Sequence, residues 1–195
     1  VEPGSDTKRS IDGWELASRL SYFLWSTMPD TRLSELAANG NLLKDDVLSS
    51  EVERMLSDKR ISRFTNQFTD QWLQLDRMDN IAVDAKRHPD FDESLRRAFR
   101  EQTHALVGRI LQDNESALQF IDADFVMLNE RLARHYGISD VIGSRMRPVK
   151  RPPAHLGGGL LTHGSILLAN STGSDSHPIR RAVWIRDRLL NDPPA

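Results

Sequence analysis

The residues best suited to do chemistry lie in the last quarter of the chain, residues 157–190. Three of the six histidines, His155, His163 and His177, sit in this stretch or close beside it. Glycines at positions 157–159 open the stretch, and backbone without side chains can approach a ligand closely or simply bend. Histidine changes its charge near neutral pH, so it serves as a general base, a proton shuttle or a metal ligand. If the chain holds a site, we expect it here.

The start of the last predicted helix has the composition of an anion-binding site. Pro178 suits the first helical turn, and Ser176 or His177 can cap it. The free amides of such a helix start attract anions, and two arginines follow within the first turn. We therefore predict an anion- or partner-binding site built from His163, Ser174, His177, Arg180 and Arg181. The alternative is a capped helix start with a packed loop, which needs no ligand.

The same loop contains the residue types of a hydrolytic triad. Ser174, Asp175 and His177 fall within four positions of one another. The members of a triad must approach from different sides, so such close spacing opposes the required geometry. We therefore predict no catalytic residue from this pattern.

Other histidines offer weaker candidates for a metal site. Glu101 and His104 form a Glu-x-x-His pair on a predicted helix, but a di-iron bundle needs two such pairs and two further glutamates. His135 lies in the last turn of its predicted helix, where a histidine complements the negative helix end. We predict no metal site in this chain.

Composition and charge narrow the class of protein. The 195 residues are 38% hydrophobic and 28% charged, as in a soluble globular protein of one domain or two small ones. The net charge of −2 gives no reason to expect a nucleic-acid partner. Residues 141–190 carry a formal charge of +6 and the remainder −8. A basic segment on an acidic body is either a docking face or a pair of solvated helix faces.

The chain has no cysteine, which excludes disulfides, thiolate nucleophiles, iron–sulfur clusters and a covalently attached haem c within it. No apolar run approaches the roughly 18 residues of a membrane span, and no signal peptide is visible. Because the sequence starts with Val1 and ends in Pro-Pro-Ala, we expect it to be a piece of a longer chain.

Helical periodicity runs through the first two thirds of the sequence. Asp12, Asp30 and Asn129 are each placed to cap a helix, and either Asp90 or Asp92 is placed to cap the long helix that follows them. Residues 59–75 keep apolar side chains at i, i+3 and i+4 over four turns. Residues 77–89 have no period and are predicted to form a loop. No strand is expected before Gly137.

The pattern changes after Gly137, where glycine and proline become frequent. MRPVK is the only plausible strand. Residues 160–169 are predicted to form one helix, and the final helix is expected to turn Ile179, Val183 and Leu190 inward. The predicted fold is mainly α: an irregular multi-helix bundle of about eight to nine helices with a loop-rich, basic C-terminal unit and little or no sheet.

Several long phrases of the sequence resemble a known pair of domains. They are RLSYFLWSTMPD, QWLQL, DADFVMLNERLARHYGI, GGLLTHGSILLANS and SHPIRRAVWIRDRLLNDPP. In this order they are similar to two adjoining domains of unknown function in large proteins of planctomycete-type bacteria, often beside cytochrome c-like modules. The resemblance extends from about Gly13 to the C-terminus.

The resemblance carries implications for organisation and location. It implies a helical domain at 13–122 and a smaller helix-and-loop domain at 123–195 packed on it, after a lead-in at 1–12 that the polar, aperiodic start of the sequence predicts. It also implies an exported or cell-envelope protein with haem c on a neighbouring domain and no cofactor within this chain. The family has no assigned activity, so it supplies no catalytic residues.

Three hypotheses for function follow. The first is a helical scaffold or interaction module of a larger envelope redox protein, whose partner is a neighbouring cytochrome-like domain or another envelope protein. The second is an enzyme domain with an anion-binding, hydrolytic or redox site around His163, His177, Arg180 and Arg181. The third is haem or metal ligation by His163 or His177.

Overall fold

The computed structural model describes residues 10–151 and 158–194. The chain folds into two compact units, Val1–Phe64 and Thr65–Ala195, and each is described by itself. Most of the predicted lead-in at 1–12, together with His155 and Gly157, lies outside the described residues. The domain boundary predicted near Asp122 stays a prediction.

The first unit is built from short helices, and the first two of them begin at side-chain caps. It contains α1 (Gly13–Trp25), α2 (Thr31–Ala38), a 3-10 helix (Asn41–Leu43), α3 (Asp45–Ser57) and the start of α4 (Ile61–Leu73). Asp12 forms a capping box with Glu15, and Asp30 accepts a hydrogen bond from the amide of Leu33. These contacts confirm the two predicted caps.

The first unit closes around Trp25, which is fully buried. Its indole Nε1 donates to the carbonyl of Met55 at 3.0 Å, and the guanidinium of Arg60 lies 3.4 Å from the ring centroid. Beside it, the fully buried carboxylate of Glu51 accepts hydrogen bonds from Arg32 at 2.6 Å and from Arg54 at 2.8 Å. A buried carboxylate is tolerated only with such partners.

The second unit is organised around one long helix. Its elements after α4 are a 3-10 helix (Leu75–Asn80), α5 (Glu93–Gln112), a 3-10 helix (Ala117–Phe120), β1 (Phe125–Leu128), α6 (Glu130–His135), β2 (Arg147–Lys150), a 3-10 helix (Leu160–Thr162), α7 (Gly164–Ala169) and α8 (Pro178–Arg188). Asp92 and Asn129 cap α5 and α6 as predicted. The inner face of α5 packs into both apolar clusters of this unit through Leu106 and Phe99.

Two short strands form the sheet that the structure describes. β1 and β2 pair antiparallel, with Phe125 opposite Lys150 and Leu128 opposite Arg147. The MRPVK strand is therefore present, but the expectation of no strand before Gly137 is wrong. All four residues of β1 are buried, so the alternation that marks a half-exposed strand is missing from its sequence.

The final helix turns a different side inward from the one expected. Ile179, Val183 and Leu190 are 72%, 41% and 64% exposed, which corrects their predicted inward orientation. The buried residue is Trp184, because its large ring fills the core and its Nε1 donates to the carbonyl of Leu73 at 3.0 Å.

A second hydrogen bond from an indole N–H joins α4 to the end of α8. Trp72 Nε1 donates to the carbonyl of Arg188 at 2.9 Å. Each helix therefore sends one tryptophan donor to the backbone of the other, since Trp184 donates in the opposite direction.

The predicted helix at 160–169 is interrupted at His163. It divides into the 3-10 helix Leu160–Thr162 and α7, with His163 in an extended conformation between them. Gly164 follows at a close approach, because a Cβ there would overlap the ring of Phe99. With eight α-helices and one two-stranded sheet in the described residues, the predicted mainly α fold is confirmed.

Candidate functional site

The predicted site residue His163 lies in the core of the second unit. Its side chain is 4% exposed, and its Nδ1 lies 2.9 Å from the hydroxyl of Thr103. The same hydroxyl lies 2.6 Å from the hydroxyl of Ser165. Burial lowers the pKa of His163 to about 4, so the ring is neutral at pH 7. His163 therefore acts within a buried hydrogen-bond cluster.

His177, Arg180 and Arg181 lie at the start of α8 and contact the loop before it. His177 Nδ1 accepts a hydrogen bond from the amide of Arg180 at 3.3 Å, which confirms it as the predicted cap. The Arg180 side chain donates to the carbonyl of Ser171 at 2.9 Å, and Arg181 approaches the hydroxyl of Ser176 at 3.4 Å. This is the geometry of a capped helix start with a packed loop, and anion binding there stays a prediction.

Ser174 is a predicted site residue that lines a cavity between two loops of the second unit. The cavity has a volume of about 460 Å³ and lies between loops 81–92 and 171–176, and we name it the loop cleft. Its volume is in the range of small-molecule sites. His163, His177, Arg180 and Arg181 do not line it, so this cavity does not bring the five predicted residues together.

The two loops of the cleft are held to each other by polar contacts. The amide of Asp84 donates to the carbonyl of Gly173 at 3.0 Å, and His88 Nε2 lies 3.2 Å from the carbonyl of Ser174. Arg87 donates to both carboxylate oxygens of Asp175 at 2.7 Å. These contacts fix the width of the cleft mouth.

Gly173 allows the loops to approach this closely. Its φ of +88° favours glycine, and a Cβ at this position would overlap the carbonyl oxygen of Ala82. A side chain here would therefore push the two loops apart.

Aromatic rings form the floor of the cleft. The ring centroids of Phe99 and His135 are 5.3 Å apart at 70°, and those of His135 and Tyr136 are 5.2 Å apart at 55°. Phe91 packs against Phe99 at 6.3 Å. The rings therefore pack against one another in the tilted and edge-to-face arrangements that aromatic pairs favour.

The polar atom of Tyr136 is engaged below the floor. Its hydroxyl donates to Oε1 of Gln102 at 2.9 Å and accepts from the amide of Gly164 at 3.3 Å. Burial raises the pKa of Tyr136 to about 12, although both hydrogen bonds oppose this effect. Tyr136 is therefore a neutral wall of the cleft at pH 7.

His135 is also a neutral ring. Burial lowers the pKa of His135, and the positive charge of Arg131 lowers it further, while the carboxylate of Asp90 opposes both. His135 therefore contributes an uncharged aromatic surface at pH 7.

The arrangement suits binding better than group transfer. His88 faces the backbone oxygen of Ser174, so this pair is not arranged as a general base and a nucleophile. The floor is apolar and the rim supplies a few polar groups, which is the composition of a ligand site.

A second, more polar cavity of about 640 Å³ lies along α5 and α6. Glu101 lines it, whereas Nε2 of His104 pairs with Asp70 Oδ1 at 2.8 Å. The two members of the Glu-x-x-His pair thus have different surroundings: Glu101 borders the second cavity, and His104 pairs with Asp70. Within 10–151 and 158–194, no three His, Cys, Asp or Glu side chains are grouped to hold a metal ion. None of the helices in these ranges is both long and apolar enough to cross a membrane.

Most residues of the loop cleft were missed at the level of sequence. Its floor and rim include Arg87, His88, Asp90, Phe91 and Tyr136, together with His135, for which the sequence predicts only a role at a helix end. One signal was available, because residues 77–89 form a long stretch without periodicity, and long loops in compact domains are usually functional. The 3-10 helix Leu75–Asn80 occupies its first part, and the remainder forms the cleft wall.

Two protein-family models match the chain in tandem. The model of a protein of unknown function (DUF1592), named PSD4, matches residues 11–138. The model of a second protein of unknown function (DUF1588), named PSCyt3, matches residues 157–195. These matches confirm the resemblance noted in the sequence. No curated protein and no solved structure matches the chain.

Proposed function

Because the chain belongs to the DUF1592 family and continues into a DUF1588 segment, we propose that the two segments form one binding module of a larger exported protein that contains a c-type cytochrome domain. Its partner is that cytochrome-like domain or another protein of the cell envelope. The module docks its partner through the loop cleft.

The observation that carries this proposal is the shared construction of the cleft. The wall and floor residues between Val83 and Tyr136 come from the segment matched by DUF1592. Those between Thr162 and Ser176 come from the segment matched by DUF1588. A cavity that needs both segments gives a physical reason for their occurrence in tandem.

The link to a cytochrome rests on the second family's name, which refers to cytochromes. Attachment of haem c requires cysteine thiolates, and the chain has none. A haem c therefore does not fit this chain, and any such group belongs to another domain of the longer protein. Export of the protein follows from the same association and is part of the proposal.

The proposal is tested with the natural full-length polypeptide and its cytochrome domain. An absorbance spectrum of the purified full-length protein should show the Soret band of haem c. Titration of the separately purified cytochrome domain with the 195-residue chain, followed by calorimetry, should give saturable binding.

A pair of variants locates the contact. Ser174→Trp fills the cleft and should weaken this binding at least about tenfold, since cleft-filling removes the space for a partner group. Ser18→Trp, at an exposed position of the first unit, is the matched control and should bind as the unmodified chain does. A full-length protein without haem c would contradict the proposal, and so would equal affinity of Ser174→Trp and the unmodified chain for the cytochrome domain. No measurable association would exclude the cytochrome-like domain as the partner.

A further inference from the structure

We propose that the loop cleft binds an organic ammonium group on a short apolar stem, with its positive charge between the aromatic floor and the carboxylate of Asp90. This inference rests on the proposed binding role of the cleft and names the chemistry of what enters it. An ammonium group of this kind occurs both in small amines and in lysine side chains of a partner.

The first step concerns the charges that line the cleft. Arg87, Asp90 and Asp175 are its charged lining residues. Arg87 and Asp175 neutralise each other through two contacts of 2.7 Å. Asp90 makes no ion pair within the described residues, so its carboxylate is the uncompensated charge of the lining. A cation is therefore favoured over an anion at this position.

Arg131, a cationic residue next to the cleft but not part of its lining, does not neutralise the carboxylate of Asp90. Arg131 donates to the backbone carbonyl of Asp90 at 2.7 Å, and its guanidinium lies 3.3 Å from the carboxylate of Asp92. The positive charge of Arg131 is thus matched by Asp92, outside the lining. The rim of the cleft remains acidic around Asp90.

The second step concerns the aromatic floor. The faces of aromatic rings carry negative electrostatic potential, and they attract cations within about 6 Å of the ring centroid. His135 and Tyr136 both belong to the lining of the cleft, and their ring centroids lie 5.2 Å apart with planes tilted by 55°. Both side chains are neutral at pH 7, so neither repels a positive group.

One ring of the floor already has a cation on it. The guanidinium of Arg96 lies 5.1 Å from the ring centroid of Phe91. Its own charge is held by Glu93 at 3.1 Å and by the carbonyls of Met78 and Ile81. Arg96 therefore already makes with Phe91 the kind of cation–ring contact that the proposal assigns to the ligand at the other rings of the floor.

The third step concerns the size and polarity of the space. A volume of about 460 Å³ accommodates a trimethylammonium or lysine-like group together with its stem. Leu167, 37% exposed, and Phe91 offer apolar contacts for the stem. The hydroxyls of Ser174 and Ser176 at the rim can accept hydrogen bonds from a primary ammonium group.

The test uses three small probes of the same shape and different charge. They are choline, 3,3-dimethyl-1-butanol and 3,3-dimethylbutanoate. The 195-residue chain is titrated with each probe, and the ring proton resonances of His135, assigned with His135→Gln, report binding. We expect choline to bind about tenfold more tightly than the neutral alcohol and the carboxylate to bind more weakly than both. N-acetyl-lysine methylamide, added as a fourth probe, distinguishes a lysine side chain from a free amine by its relative affinity.

Two asparagine variants isolate the role of the carboxylate. Asp90→Asn should remove most of the preference for choline over the alcohol while leaving the affinity for the alcohol unchanged. Asp113→Asn makes the same change in charge at the other end of the 20-residue helix α5, about 30 Å away, and should leave all affinities unchanged. Asp90 lies in an exposed loop, so the substitution should not disturb folding.

The outcomes separate this inference from the proposed function. Equal or tighter binding of the carboxylate, an unchanged preference in Asp90→Asn, or no saturable shift with any of the probes would overturn the inference. The docking titration with the cytochrome domain is a separate measurement. Its result stands whatever the charge preference of the small probes.

Discussion

Arg87 donates to both carboxylate oxygens of Asp175 at 2.7 Å, across 88 positions of the sequence. The two side chains belong to the two loops that form the mouth of the loop cleft. They also belong to the two different family segments. This ion pair therefore links the two segments at the mouth of the loop cleft, where we propose that the partner binds.

Arg87→Ala should loosen the cleft mouth with little effect on global stability. Both side chains are more than half exposed, so the free energy of unfolding should fall by less than about 1 kcal/mol. The amide of Asp84, which donates to Gly173, should exchange with solvent faster. Hydrogen exchange followed by NMR measures this, with Arg186→Ala as a control that removes an equally exposed ion pair elsewhere. Unchanged protection at Asp84 would contradict this role of the ion pair.

Gly173→Ala should destabilise the second unit more than Gly143→Ala does. Both glycines have positive φ, +88° and +95°, so each substitution introduces backbone strain of about 1 kcal/mol. At position 173 the new Cβ also overlaps the carbonyl of Ala82, whereas nothing lies near position 143. We expect a loss of at least about 3 kcal/mol for Gly173→Ala, measured by urea unfolding. Equal losses for the two variants would mean that the close loop approach does not exist in solution.

His163 should make the stability of the protein decrease as the pH falls below about 6.5. Burial lowers its folded-state pKa to about 4, below the unfolded value near 6.5, so the unfolded state binds the proton first. Between pH 7 and pH 4 this contributes a loss of about 3 kcal/mol, which levels off below the folded-state pKa. Urea unfolding at several pH values measures the slope for the chain and for His163→Asn. The variant should lose this part of the slope, and identical slopes would exclude a buried neutral His163.

Arg54→Met should strongly destabilise the first unit. It leaves the fully buried carboxylate of Glu51 with fewer partners, which costs about 3 kcal/mol. The double variant Glu51→Leu with Arg54→Met removes the buried charge as well, so it should recover most of the loss. Urea unfolding of both variants measures this. A double variant as unstable as Arg54→Met would show that packing, and not the isolated charge, causes the loss.

Features that depend on neighbouring residues were predictable from the sequence. The caps Asp12, Asp30, Asp92 and Asn129 each bond an amide three positions on, so their signal is local. The side of α8 that faces the core was not predictable in this way. Trp184 lies on that side, and its hydrogen-bond acceptor is the carbonyl of Leu73, which is distant in the sequence.

The loop cleft illustrates the same limit for a site. Ser174 was identified because its own loop is rich in polar residues, whereas His135 reads as an ordinary helix terminus. Both residues line the cleft between loops 81–92 and 171–176, and no spacing within either loop encodes that arrangement. The strand β1 was missed for a related reason, because its partner β2 lies about 20 residues later and both of its faces are buried.

The two hydrogen bonds that tryptophan side chains make between α4 and α8 have a consequence for how the genes of such proteins evolve. Trp72 lies in the DUF1592 segment and bonds the DUF1588 segment at Arg188, and Trp184 returns the bond to Leu73. A gene that encoded one segment without the other would leave a tryptophan donor unmatched and an apolar helix face bare. On physical grounds, the two segments should be gained and lost together as a single heritable unit.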